Sequence, residues 1–317
     1  MLLRVNQTDV HMSRARVIAE GLFFPEGPVW FPDGSIALVE IGRGRITRVA
    51  PDGGLSIIAE PGGGPNGLAV GPDGALYVCN NGGFRWADRG GMMLPVAQAD
   101  DYSGGRIERV DPKTGAVTVL YRDCGGHPLR GPNDIVFSAD GSFWFTDLGK
   151  VRARDRDHGG LYWAKPDGSE IREVAHPVLS PNGIGLSPDG RTLYVAETET
   201  SRLWAFDVTG PGSVAKAPFP SPNGGRLVCG LPGYQRFDSL KVDAAGNICV
   251  ATLISGHITV ISPDGQVLRQ VKMPEMYPTN LCFGGPDLRT AFVTLSGTGK
   301  LAAVDWPEPG LRLAFGA

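Results

Sequence analysis

PNDIVFSADGSFWFTD, residues 132–147, consists of two short apolar runs hinged on an Asp-Gly pair and led by a polar anchor, Asn133. Glycine supplies the positive φ that a tight turn needs, so D-G between two apolar runs predicts a β-hairpin. The same phrase returns as PEGPVWFPDGSIALVE (25–40), PNGLAVGPDGALYVCN (65–80), PNGIGLSPDGRTLYVAE (181–197), FDSLKVDAAGNICVAT (237–252) and TNLCFGGPDLRTAFVT (279–294). The anchors are Glu26, Asn66, Asn133, Asn182, Asp238 and Asn280. Seven residues on, five copies carry Asp33, Asp73, Asp140, Asp189 and Asp287, and the fifth carries Ala245. Eight residues on, five copies carry glycine and the sixth Leu288.

Most copies then add a second strand pair, as in GRITRVAPDG (44–53), GGRIERVDPKTG (104–115), GGLYWAKPDG (159–168), SRLWAFDVTG (201–210) and GHITVISPDG (256–265). About four short strands per unit is the content of one propeller blade. Anchor spacing runs from 40 residues (Glu26 to Asn66) to 67 (Asn66 to Asn133), so loops differ while the blade core persists. The pattern predicts an all-β, single-domain, six-bladed β-propeller of four-stranded blades around a central metal-binding channel. The W-D and G-H signatures of WD40 repeats are absent. The run Arg16–Leu22 is expected to close the ring as an outer strand of the last blade, which removes an exposed sheet edge.

Composition bounds the rest. Glycine (46) and proline (26) are abundant, but 42% of residues are hydrophobic, which excludes a disordered chain. Net charge is −3, with no Lys/Arg run, so neither nucleic acid nor an anionic membrane is an expected partner; the partner expected is a small molecule. The oligomeric state is left open. Residues 1–16 are polar and lack the apolar core of a signal peptide, and Met12 is an alternative start. Five cysteines are scattered, and three of them, Cys79, Cys249 and Cys282, sit in apolar runs. An odd, unpaired set suits a reducing cytoplasm.

Pseudo-symmetry brings the anchors together at one channel mouth. Their side chains are all oxygen donors, two of them carboxylates, and such a ring is costly to bury unpaired. A hard divalent cation would satisfy it, calcium first, then magnesium or manganese ahead of zinc or iron. The competing reading of each anchor by itself is a turn-forming Asn or Asp; six in register favour the ion, with Asn66 and Asn280 the most structural members. The second strand of each blade returns to the same face, ending at Glu40, Asn80, Asp147, Glu197, Thr252 and Thr294. Glu40, Asn80, Asp147 and Glu197 are candidates to orient ligands or contact substrate, and Asn66 and Asp134 are candidates to contact substrate. No G-x-S-x-G elbow is present, and the histidines (11, 127, 158, 176, 257) form no zinc motif.

EGPVW around Glu26, GPNDIVFSADGSFWFTD, SPNGIGLSPDGRTLYVAET, FDSLKVDAAGNI and TNLCFGGPDLRTAFVT, in this order, resemble the SMP-30/gluconolactonase/LRE (regucalcin-like) family. The resemblance implies metal ligation by Glu26, Asn182 and Asp238, with Asn133 as a fourth ligand or holding a metal-associated water. It implies opening of a small lactone, a sugar lactone or similar cyclic ester, by activated water, with Asp238 as ligand and base and Asp134 or Asp147 next in line for the base. Relatives carry a substrate-touching arginine two residues before the Asn133 position; here Arg130 stands three before it. The insertion 82–104 in blade 2 is a candidate lid, with Arg85 and Trp86 expected to touch substrate. The charged segment 149–158, GKVRARDRDH, reads as a solvated loop. A metal-dependent phosphotriester or phosphofluoridate hydrolase and a non-catalytic binding propeller are the alternative functions.

Overall fold

The computed structural model of the chain describes residues 15–316. The readings placed on residues 1–14, namely the missing signal-peptide core, the alternative start at Met12 and His11, lie outside the described residues. Strands carry all six repeats, and the helical content of the described residues is one 3-10 turn, Ile41–Arg43.

The six sheets stand around one axis as blades. Their innermost strands are Pro25–Trp30, Pro65–Val70, Pro132–Phe137, Pro181–Leu186, Arg236–Val242 and Pro278–Gly284. Each pairs antiparallel with the strand that follows the turn, for example Pro132–Phe137 with Phe143–Asp147 through Val136 opposite Trp144. Every innermost strand has a register irregularity one to three residues in, so the anchor sits at a bulge. A bulge re-aims a side chain that a regular ladder would point at a neighbouring blade.

Blade 4 departs from four strands. Its third strand, Arg202–Gly210, pairs first with Ser213–Ala215 and then with Arg226–Gly230. Blade 2 carries an extra hairpin, Phe84–Asp88 with Met93–Gln98, between its second and third strands. Blade 6 is completed from the other end of the chain: Arg16–Ala19 pairs with Lys300–Asp305. The closing strand expected over Arg16–Leu22 is therefore present, ending at Ala19.

The core is not central. It lies in layers between blades, because each sheet has apolar side chains on both faces. The second strands Ile36–Glu40 and Phe143–Asp147 are buried along their whole length, whereas the outer strand Leu55–Ala59 is exposed over its first three residues. Between blades 2 and 3 pack Tyr77, Ile107, Phe137, Phe143 and Phe145; between blades 3 and 4, Trp144, Trp163, Trp204 and Phe206. A further layer, with Ala19, Ile36 and Leu301, seals blade 6 to blade 1. Cys79, Cys249 and Cys282 are buried and free; the first two are small hydrophobes in these layers, and Cys282 lines a cavity on the channel side.

Candidate functional site

Each anchor opens an innermost strand, so all six stand at one end of the channel. Glycine follows three of them. A Cβ on Gly67 would lie 2.4 Å from the carbonyl oxygen of Asn133, and one on Gly183 would lie 2.5 Å from the backbone nitrogen of Leu240. Gly27, at φ +52°, is pressed in the same way against Leu68. The neighbouring strand occupies the space of the missing side chain. The E-G and N-G pairs of the repeats thus set how closely adjacent anchors approach.

The anchors use their side chains differently. Glu26 Oε2 accepts from Asn280 Nδ2 at 2.7 Å and from the backbone N–H of Gly27 at 2.8 Å. Asn280 Oδ1 accepts from the backbone N–H of Leu281 at 2.8 Å. Asn280 is thereby a brace for Glu26, which fits its reading as a structural member of the ring. Asn182 donates to Thr198 Oγ1 at 3.1 Å and accepts from Ser239 Oγ at 3.4 Å, and its hydrogen bond to Asp238 favours the ionised form of that carboxyl. Asn133 Oδ1 is buried with no hydrogen-bond partner, and so is Asp134 Oδ2.

Three carboxyl groups share this space. Burial pushes Glu26 up to about 7, against the opposing bonds from Asn280, Thr279 and Gly27, and the charge of Asp134 adds to the push. Burial also raises Asp238 well above the usual carboxylate range, with Glu26 next and Asp134 contributing. Asp238 keeps part of its surface open to solvent, although protein crowds its carboxyl. Asp134 is raised by burial too, relieved by Lys241, whose Nζ is 3.7 Å from Asp134 Oδ2.

Carboxyls that raise one another's pKa, on a ring that also holds an orphaned amide oxygen, fit a hard divalent cation. Glu26, Asn133, Asn182 and Asp238 supply only oxygen donors, two carboxylate and two amide. Among the described residues no three His, Cys, Asp or Glu side chains form a metal-holding group by themselves.

Several sequence-derived candidates are engaged in other contacts. Asn80 is fully buried and its amide is taken up by Gly62, Gly64, Gly82 and Glu108, with no face left for substrate. Asp147 accepts the backbone N–H groups of Arg130, Gly131 and Gly149, which fixes the entry to the blade 3 inner strand. Glu40 is likewise tied to Arg43, Arg45, Thr47 and the backbone of Phe23. These strand ends brace loops because a buried carboxylate must collect donors. Trp86 packs on Phe23 and Phe24, with ring centroids 4.9 and 5.2 Å away. Arg85 and Arg130 are exposed. Asn66 stays in the ring but its oxygen is already taken, by Asn81 Nδ2 at 3.1 Å.

The hairpin of the 82–104 insertion reaches three other blades. It meets blade 6 through Met93 N–H to Gly297 O (3.2 Å), blade 1 through Trp86, and the 149–158 loop of blade 3 through Gln98 N–H to Val151 O (2.8 Å). That loop is not uniformly solvated as its composition predicts. Lys150 is 1% exposed. Neither Lys150 nor Asn81 carries a motif, and only their distance across the fold reveals them. Two to four residues further along the inner strands than the anchors, a cavity of about 270 Å³ is lined by Val29, Leu68, Phe137, Ile184, Lys241 and Phe283, with the segment from Leu311 to Phe315 also lining it.

A family model described as SMP-30/Gluconolactonase/LRE-like region matches residues 24–297. The chain belongs to this family. Among relatives, the family member is 27% identical over 307 residues to the gluconolactonase of Zymomonas mobilis, covering 88% of this chain and 78% of that one. It is 31% identical over 209 residues to the diisopropyl-fluorophosphatase of Loligo vulgaris, covering 61% and 63%. In structure it superposes on a gluconolactonase from Xanthomonas campestris with a TM-score of 0.72 at 24% identity, covering 92% and 89%, which shows the fold. Lactonase-type hydrolysis on a propeller is the activity common among the family member's relatives. Among its described residues, no helix is long and apolar enough to cross a membrane.

Proposed function

We propose that the protein is a divalent-metal-dependent lactonase acting on a small sugar lactone or similar cyclic ester. The observation that carries this is the buried, unpartnered Asn133 Oδ1 on a ring of anchors whose carboxyls repel one another. Glu26, Asn133, Asn182 and Asp238 would hold the ion, calcium before magnesium, manganese, zinc or iron. When bound, it would supply electrophilic stabilisation of the oxygen that gains charge as the lactone opens.

The chain's own residues do the rest. Asp238 is the carboxylate of the set that keeps a solvent-facing side, so water reaches it. As water adds to the lactone carbonyl, an Asp238 carboxylate oxygen takes its proton. The ring C–O bond then breaks, and the proton is returned to the leaving ring oxygen, which gives the open hydroxy acid. Asn182 orients Asp238, and Asn280 orients Glu26. The insertion hairpin, as the lid, limits access to small molecules that pass beneath Trp86 and Met93.

The test is a lactone panel assayed by proton release on chelated protein and after each metal is restored. Turnover is expected only with metal, and full-rate turnover by protein shown to be metal-free sinks the reading. The similarity to diisopropyl-fluorophosphatase supports a second reading, hydrolysis of a phosphofluoridate in the same ring. Fluoride release faster than any lactone opening would promote it.

A further inference from the structure

A lysine with no role in the reaction just described is buried behind the ring. Lys150 Nζ donates to Asn81 Oδ1 and to the carbonyl oxygen of Gly83, both at 2.9 Å. It lies 3.9 Å from the Phe84 ring centroid and 5.3 Å from that of Tyr102. Both rings belong to the insertion. Burial pushes the Lys150 pKa down to about 7, yet protonated or neutral the group donates to both carbonyl oxygens, which a leucine or methionine filling the same space could not do.

That donation is directional. An ammonium has donors and no acceptor. Asn81 must therefore present its oxygen to Lys150, and the backbone N–H of Gly83 donates to the same oxygen at 2.9 Å. The Asn81 Nδ2 is thus forced to the other side, where it donates to Asn66 Oδ1 at 3.1 Å. Asn66 then has only its nitrogen to offer the ring, and Nδ2 donates to the carbonyl oxygen of Asn133 at 3.2 Å. An amide nitrogen carries two hydrogens, and this bond uses one.

We infer that Lys150 is a positioning residue that fixes the polarity of an amide relay, Lys150–Asn81–Asn66, so that Asn66 is withheld from the metal and presents an N–H to an oxygen of the substrate. The relay explains how one asparagine in a ring of oxygen donors becomes a hydrogen-bond donor. It also ties that polarity to the lid, because Gly83 and Phe84 hold the ammonium in place. The identity of the substrate oxygen rests on the lactonase reading; the polarity of the relay does not.

Two measurements separate these. The first is a double-mutant cycle of Lys150→Met with Asn66→Ala, on metal-loaded protein. Lys150→Met is expected to lower kcat/KM for the best lactone about tenfold, with metal affinity within about twofold of the parent. In the Asn66→Ala background the same change is expected to cost less than twofold. Equal losses in both backgrounds overturn the relay. The second needs no activity. In protein labelled with 15N-asparagine, the side-chain amide pair assigned to Asn66 by its loss in Asn66→Ala should shift or broaden in Lys150→Met. It should do so too in Lys150→Gln, whose terminal amide can accept as well as donate; this second variant covers a Met variant that fails to fold. An Asn66 pair unmoved in the folded variant overturns the inference. If the parent opens no lactone, the proposed function fails, and the spectra still decide the relay.

Discussion

Asn133 and Asn280 are the same residue type at equivalent places in opposite blades, yet their amide oxygens differ. Asn280 closes its oxygen onto the next backbone N–H and lends its nitrogen to Glu26, while Asn133 leaves its oxygen bare. This difference predicts the order of mutational effects. Asp238→Asn keeps size and an oxygen donor but removes the base; turnover is expected to fall about 10²-fold or more with metal still bound, as measured by lactone opening and metal content. Glu26→Gln should weaken metal affinity along with rate. Asn280→Ala should weaken metal affinity less than Glu26→Gln, because it removes a brace and not a donor. The pH dependence follows from Glu26. Its folded pKa, about 7, lies above the usual carboxyl value of 4.5. Between those values the folded state holds a proton that the unfolded state has released, so stability is full below the unfolded pKa and is lost as pH rises through the folded one. Chelated protein should therefore show a falling Tm from pH 5 to 8, and calcium should restore it. A flat profile in chelated protein would mean that Glu26 is already ionised and paired.

At the scale of strands and turns, the glycines after the anchors are the points of greatest leverage. Gly67→Ala would drive a Cβ against the backbone of Asn133 at 2.4 Å, and backbone cannot rotate away. Overpacking of this kind costs about 1–3 kcal/mol. The expected result is a lower Tm together with weaker metal binding, since the strand displaced carries a ligand; a normal metal affinity would show that the ring tolerates the shift. The insertion hairpin makes the opposite prediction. Shortening 84–98 should change the ranking of a substrate panel more than it changes Tm, because the blades close without it. The hairpins and anchors were legible in the sequence because D-G turns and apolar alternation are local. The partners of Asn80 and Asp147 were not legible, because local register puts the two residues at the correct face but says nothing of which loop N–H groups they collect. Lys150 was hidden inside a charged run, since its burial depends on Phe84 and Tyr102 of another blade.

Across the whole molecule, stability is distributed over the layers between blades, and the ring has one seam. Arg16–Ala19 pairs with Lys300–Asp305, and Ala19 packs with Leu301 beside blade 1. Removing residues 15–20 should lower Tm by several degrees and expose the Lys300–Asp305 edge, and light scattering should report self-association through it. A truncated protein that stays monomeric with an unchanged Tm would show that the seam is dispensable. The number of blades was legible because the repeat count is a property of sequence alone. The five-stranded blade 4 was not, because the pairing of Arg226–Gly230 back onto Arg202–Gly210 follows from loop path rather than from pattern.

The seam also sets a timetable. Arg16 is made 287 residues before its partner Ala303 (303 minus 16). At roughly 5–20 residues per second, the first strand waits on the order of tens of seconds with its hydrogen-bonding edge unclaimed. Throughout that interval the nascent chain is an open arc with two sticky ends, and in a crowded polysome the nearest matching end belongs to another copy.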